Sequence, residues 1–128
     1  MRRGFTLIEI FSTVFIMAVI AAIAFPNYAK TIQKGEANRA VVNLRAIRLA
    51  QKIYYAKNGT YACVSSCANA AAIKTALGVE ITDGKFVYSV AATATTFTAT
   101  ATGYSATLTL NETGTSLGGT YTPKPAYV

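Results

Sequence analysis

The sequence predicts an α+β chain. A long N-terminal helix, its first half of membrane-spanning length, packs by its second half on an antiparallel meander sheet of three to four strands. Three observations predict it. Phe5 to Phe25 is an apolar run of 21 residues whose only charge is Glu9. Asn27 to Lys57 has no proline and repeats its apolar residues at helical spacing. From Lys85 onward, apolar residues alternate with threonines in short runs, as half-buried strands require.

Composition excludes most chemistry. The 128 residues carry a net charge of +7, with no histidine and no tryptophan. The acids are Glu9, Glu36, Glu80, Asp83 and Glu112, scattered along the chain. That leaves no metal-ligand cluster, no Ser/His/Asp set and no Cys/His pair, and no glycine-rich phosphate loop occurs. The expectation is a protein that is not an enzyme, with no catalytic residues, no metal and no cofactor. A basic chain favours anionic surfaces or nucleic acid, so DNA contact is kept as an alternative.

The first element is the apolar run. As a helix rising about 1.5 Å per residue it is roughly 30 Å long, the hydrocarbon thickness of a bilayer. Arg2 and Arg3 keep the short start cytoplasmic, which places the C-terminal bulk across the membrane. A secretory signal is one competing reading, because Ala22-Ile23-Ala24 has small residues at cut-site spacing. Such signals have shorter apolar cores, about 7–15 residues, and rarely hold an acid. A plain anchor explains the length but not Glu9, which costs about 2.5–3.5 kcal/mol at mid-bilayer and less near the edge. In a third reading a partner supplies the neutralising charge.

Gly4-Phe5-Thr6-Leu7-Ile8-Glu9 resembles the N-terminal processing motif of type IV pilins and pseudopilins. Ala21-Ala22-Ile23-Ala24-Phe25-Pro26-Asn27-Tyr28 is similar to the end of the same signature. The resemblance is close over the first 28 residues and general beyond them. It implies a pilin fold and a prepilin peptidase that cuts after Gly4 and methylates the new amine of Phe5. It also implies single-pass storage in the inner membrane, then polymerisation with other copies into an extracellular helical filament. The implied partners are that peptidase/methylase, an assembly ATPase with its inner-membrane platform and, where the envelope has one, an outer-membrane secretin. On this reading Glu9 of one subunit meets the Phe5 amine of another and sets axial register, as buried polar groups do in helix bundles. Removing one partner of such a pair costs about 3–5 kcal/mol. Ser12 and Thr13 depart from the family's aliphatic residues, and their hydroxyls can bond back to the preceding turn. Ala18 stands where many relatives have glycine; Pro26 keeps a kink point for assembly.

The second half of the helix, 27–57, carries two apolar stripes. Val42, Ala46, Leu49 and Ile53 share one face; Ala40, Leu44, Ile47 and Tyr54 lie roughly opposite. One stripe is expected under the chain's own sheet and the other under a neighbouring subunit, the alternative being a loop of the same domain over both. Arg45, Arg48 and Lys52 mark one boundary, and Arg39, Asn43 and Lys57 the other; solvated edges are the plain reading of these cations.

The segment 58–84 begins with the turn pair Asn58-Gly59 and contains Cys63 and Cys67. Across the membrane these cysteines meet an oxidising compartment. A Cys63–Cys67 disulfide closes a very small loop, worth about 2 kcal/mol by chain entropy. Asn69 to Leu77 reads as a short alanine-rich helix.

The segment 85–128 holds the sheet and tail. Strands are expected at Lys85–Ala91, with Phe86, Tyr88 and Val90 inward, at Thr96–Thr102, with Phe97, Ala99 and Ala101 inward, and at Ser105–Leu110, with Ala106, Leu108 and Leu110 inward. Asn111-Glu112-Thr113-Gly114 is the next turn, a weak fourth strand is placed at Thr115–Tyr121, and the tail with Pro123 and Pro125 is expected to be extended. The segments are thus a leader (1–4), a spanning and filament-core helix (5–26), an amphipathic half (27–57), a loop with the cysteines (58–84) and the sheet (85–128). The reading is a structural pilus subunit. Its alternatives are a pseudopilin of a secretion or DNA-uptake machine, and a minor tip subunit acting as adhesin or DNA binder.

Overall fold

The computed structural model describes residues 4–104, 106–114 and 119. The expected fourth strand at Thr115–Tyr121 and the tail lie outside the described residues. The order of elements is α1 (Leu7–Asn58), α2 (Ala70–Leu77), β1 (Val87–Ala92), β2 (Phe97–Gly103) and β3 (Ala106–Asn111). Backbone contacts divide the chain into two units, 1–32 and 33–128.

In the first unit every residue from Gly4 to Ile32 is exposed except the half-buried Ala21. Helix α1 starts at a side-chain cap: the Glu9 amide donates to the Thr6 carbonyl at 3.1 Å and to Thr6 Oγ1 at 3.3 Å. Ser12 and Thr13 donate their hydroxyls to the carbonyls of Glu9 and Ile10, both at 2.9 Å, as expected. Pro26 lies inside the helix and has no amide hydrogen to give. Thr31 bonds back to the Asn27 carbonyl at 2.9 Å beside it.

The second unit is a three-stranded sheet with the end of α1 on one face. The strands run β1-β2-β3, each antiparallel to the next, with Val90↔Ala99 and Ala99↔Leu110 in register. Tyr88, Val90, Phe97, Ala99, Ala101, Leu108 and Leu110 point inward and are buried. They meet Ala37, Ala40, Val41, Leu44 and Ile47 of α1 and Ile73 of α2 in one core. Burying the valine, leucine, isoleucine and phenylalanine side chains among them contributes about 1.5–3 kcal/mol each. Asn69 caps α2 by accepting from the Ala72 amide at 2.8 Å, and Gly78 ends it in the left-handed region.

The two stripes separate as their spacing requires. Ala40, Leu44 and Ile47 are buried against the sheet. Val42, Leu49 and Ile53 are 58%, 62% and 51% exposed, and no loop among the described residues covers them. The first strand starts two residues later than expected, at Val87. Lys85 is held outside the ladder, its amide donating to Asp83 Oδ1 at 3.0 Å. Gly103 ends β2 where a side chain would strike the Lys85 carbonyl and the Phe86 ring.

Candidate functional site

The sequence singles out Gly4, Phe5, Glu9 and Pro26 on the N-terminal unit, and Cys63 and Cys67 on the other. Gly4 and Phe5 precede the first helical residue, and Phe5 is 78% exposed. Glu9 lies in the first turn of α1, where its charge complements the exposed amides of the helix start. Gly4 and Phe5 thus lie just before the helix, and Glu9 lies in its first turn. Pro26 is 17 positions beyond Glu9, about 25 Å along a straight helix. Apolar side chains from Leu7 to Phe25 face outward all round: Leu7 is 87% exposed, Met17 70% and Phe25 75%. An 18-residue window of this helix is long and apolar enough to cross a membrane.

Thr6 is a site residue that sequence reasoning passed over. Thr6-x-x-Glu9 has the spacing of a capping box, legible from the sequence. The half of that box the structure shows is the bond from the Glu9 amide to Thr6 Oγ1 at 3.3 Å.

Cys63 and Cys67 are joined by a disulfide with S–S 2.07 Å. Cys67 then pairs with β1: its amide donates to the Val90 carbonyl at 2.8 Å and its carbonyl accepts from the Val90 amide at 2.9 Å. The pair is a staple that docks the loop on the sheet. Beside it, Gln51 of α1 is fully buried and bonds both backbone groups of Ala62.

The basic boundaries resolve differently from one another. Arg39 is exposed and 3.6 Å from Glu36 on the same helix, a pair of little worth in water. Arg45, Lys52 and Lys57 are exposed. Arg48 is no solvated edge: its guanidinium donates to the Thr113 carbonyl at 2.8 Å and tethers the turn after β3 to α1. Gly114 has φ +59 in that turn, and a β-carbon there would strike the guanidinium.

A cleft of about 270 Å³ opens between α1 and the loop before β1, lined by Asn38, Arg39, Val42, Asn43, Thr82 and Asp83. Next to it, Asn43 Nδ2 donates to the Tyr88 hydroxyl at 2.9 Å, and that hydroxyl donates to Asp83 Oδ2 at 2.7 Å. Burial pushes the Tyr88 phenol well above its ordinary value; the bond from Asn43 opposes the shift, and Asp83 adds to it.

Among the described residues, no histidine, free thiol or paired carboxylates stand together in this arrangement. What the first unit offers is an exposed apolar run with one acid, Glu9, and what the second offers is a small stapled sheet domain. A family model described as "Type IV minor pilin ComP, DNA uptake sequence receptor" matches residues 26–116. The chain belongs to the type IV pilin family. The match covers the head and the second half of α1, whereas the processing-motif resemblance lies before it, so two separate stretches carry the assignment. The pilin is also 40% identical over 60 residues to the type IV major pilin protein PilA of Myxococcus xanthus (strain DK1622). That stretch is 47% of this chain and 27% of the relative, so the chain spans about a quarter of the length of the curated relative it matches. No solved structure matches the pilin significantly. Pilins as a family are structural subunits of pili.

Proposed function

We propose that the pilin is stored as a single-pass protein of the inner membrane and polymerises through its N-terminal helix into an extracellular type IV pilus. A peptidase removes residues 1–4 by cutting between Gly4 and Phe5, and methylates Phe5. Polymerisation draws on the assembly ATPase, its platform and, where present, an outer-membrane secretin. The observation that carries the reading is the uncovered apolar surface of α1: the run from Leu7 to Phe25, continued by Val42, Leu49 and Ile53. Lipid covers the first part before assembly. Only other protein covers both parts afterwards. Glu9 then serves as counter-charge to the new Phe5 amine of a neighbouring subunit, with Pro26 as the point of adjustment.

The test is Glu9→Ala in the cell that makes the pilus. The variant is expected at normal level in the inner membrane with few or no filaments by electron microscopy; abundant filaments would remove Glu9 from assembly. Mass spectrometry of the native subunit reads the cut and the methyl group together.

A second reading makes the pilin a minor subunit of a DNA-uptake pilus. It is favoured by the description of the matching family model and by the exposed cations Arg45, Lys52 and Lys57. A gel shift with the pilin in detergent tests it. DNA binding that weakens steeply with salt supports this reading, and no binding at low salt ends it.

A further inference from the structure

We propose that Asn111 is an acceptor for an N-linked oligosaccharide. Two Asn-x-Thr triplets occur, Asn58-Gly59-Thr60 and Asn111-Glu112-Thr113, and the sequence does not rank them. The geometry does. Asn58 is the last residue of α1, and its Nδ2 donates to the Tyr54 carbonyl at 3.0 Å, so the nitrogen that would be modified is already engaged. Asn111 is the exposed last residue of β3 and bonds through its oxygen instead. Its Oδ1 accepts from the Thr113 hydroxyl at 2.7 Å and from the Gly114 amide at 3.1 Å. Its Nδ2 makes no hydrogen bond among the described residues.

Three further contacts present the triplet outward. Arg48 donates to the carbonyls of Thr113, at 2.8 Å, and Glu112, at 3.5 Å, so the turn is tied from beneath. The Glu112 carboxylate folds back to accept from the Phe97 amide at 3.3 Å. The middle residue is thus occupied on the sheet, while Asn111 and Thr113 are left exposed. Bonds to the amide oxygen draw electron density toward it and make the NH₂ group easier to deprotonate.

The co-reactant is an oligosaccharide on a lipid pyrophosphate, with a membrane-bound transferase. The Asn111 nitrogen attacks the anomeric carbon; a C–N bond forms as the C–O bond to phosphate breaks. The lipid pyrophosphate leaves with the bonding electrons, the displaced Nδ2 proton passes to a base of the transferase, and nothing is oxidised or reduced. The proposal does not depend on filament formation.

The experiment incubates the full chain, folded in detergent, with a single-subunit transferase that accepts Asn-x-Thr and with its lipid-linked donor. Trypsin then puts the triplets on separate peptides, one beginning at Asn58 after Lys57 and one at Phe86 after Lys85. The expected result is glycan on the Phe86 peptide at ten-fold or greater excess over the Asn58 peptide. Asn111→Gln abolishes it, Thr113→Ala lowers it at least ten-fold and Thr113→Ser restores it. Three results would overturn the proposal: equal or greater transfer to Asn58, transfer to Asn111 only after denaturation, or no transfer to Asn111 while a control acceptor peptide is modified.

Discussion

Gln51 and Ala62 close a two-bond clamp between helix and loop. Gln51 Nε2 donates to the Ala62 carbonyl at 3.0 Å, and its Oε1 accepts from the Ala62 amide at 2.9 Å. A fully buried side-chain amide thus does for one loop residue what a neighbouring strand would do. Each of the four polar atoms would otherwise lack a partner in an apolar surrounding, at about 1–3 kcal/mol per orphaned group. Gln51→Leu fills the volume but orphans both groups of Ala62. The expected loss is about 2–4 kcal/mol by urea unfolding of the full chain in detergent. Gln51→Glu keeps the acceptor and loses the donor, so its loss should be smaller where the carboxyl is protonated than at neutral pH.

Tyr88 sets an alkaline limit on stability. Its folded pKa is raised above the unfolded value, so its stabilising contribution is fully present below the ordinary phenol pKa near 10 and is lost as pH rises beyond it. The structure favours the neutral phenol because burial opposes the phenolate and the Asp83 carboxylate accepts a hydrogen bond from the phenol O–H. Titration by phenolate absorbance is expected to show one of the eight tyrosines ionising last, with unfolding. Tyr88→Phe should remove that component and flatten the fall in stability above pH 10.

On the proposed reading, folding and assembly draw on different faces of α1. Leu49 and Ile53 are 62% and 51% exposed, so Leu49→Glu should change the stability of the isolated subunit by no more than about 0.5 kcal/mol. The same change puts a charge where a neighbouring subunit is proposed to pack. Thermal unfolding of the variant should match the parent, while filaments counted by electron microscopy should fall sharply. Normal filament numbers would show that this stripe faces something other than another subunit.

The disulfide acts locally. Cys63→Ser with Cys67→Ser is expected to cost about 2 kcal/mol, the chain-entropy value for so small a loop. Hydrogen exchange should speed most at the amides of Cys67 and Val90, which bond across the junction of loop and sheet. Exchange at Ala99 and Leu108, deeper in the core, should change least.

The sheet was legible because alternation is a local signal: Phe97, Ala99 and Ala101 announce their face within one strand, and β2 fixes the register of both neighbours. The short helix α2 was legible from Asn69, whose side chain is the cap. The two stripes of α1 followed from helical spacing, though not which of them lies inward, because that depends on where the sheet folds back. What the sequence hid are bonds between distant positions. Nothing near Gln51 announces Ala62, and nothing near Arg48 announces a turn 65 positions later. The bond from Asn43 to Tyr88 spans 45 positions and exists only once the loop has folded. Among the candidate site residues, Glu9 and its neighbours were singled out by motif, and their roles belong to the proposal. Thr6 was missed, although its spacing to Glu9 was there to be read.

The bridge from Cys67 to Val90 has a bearing on solubility. An outer strand with bare amides and carbonyls invites any passing extended chain to zip alongside it, the first step toward amorphous or fibrous deposits. Here a stapled loop occupies the middle of β1, so a foreign strand finds its template interrupted at Val90. This edge of the sheet is thereby steered away from joining another copy strand to strand.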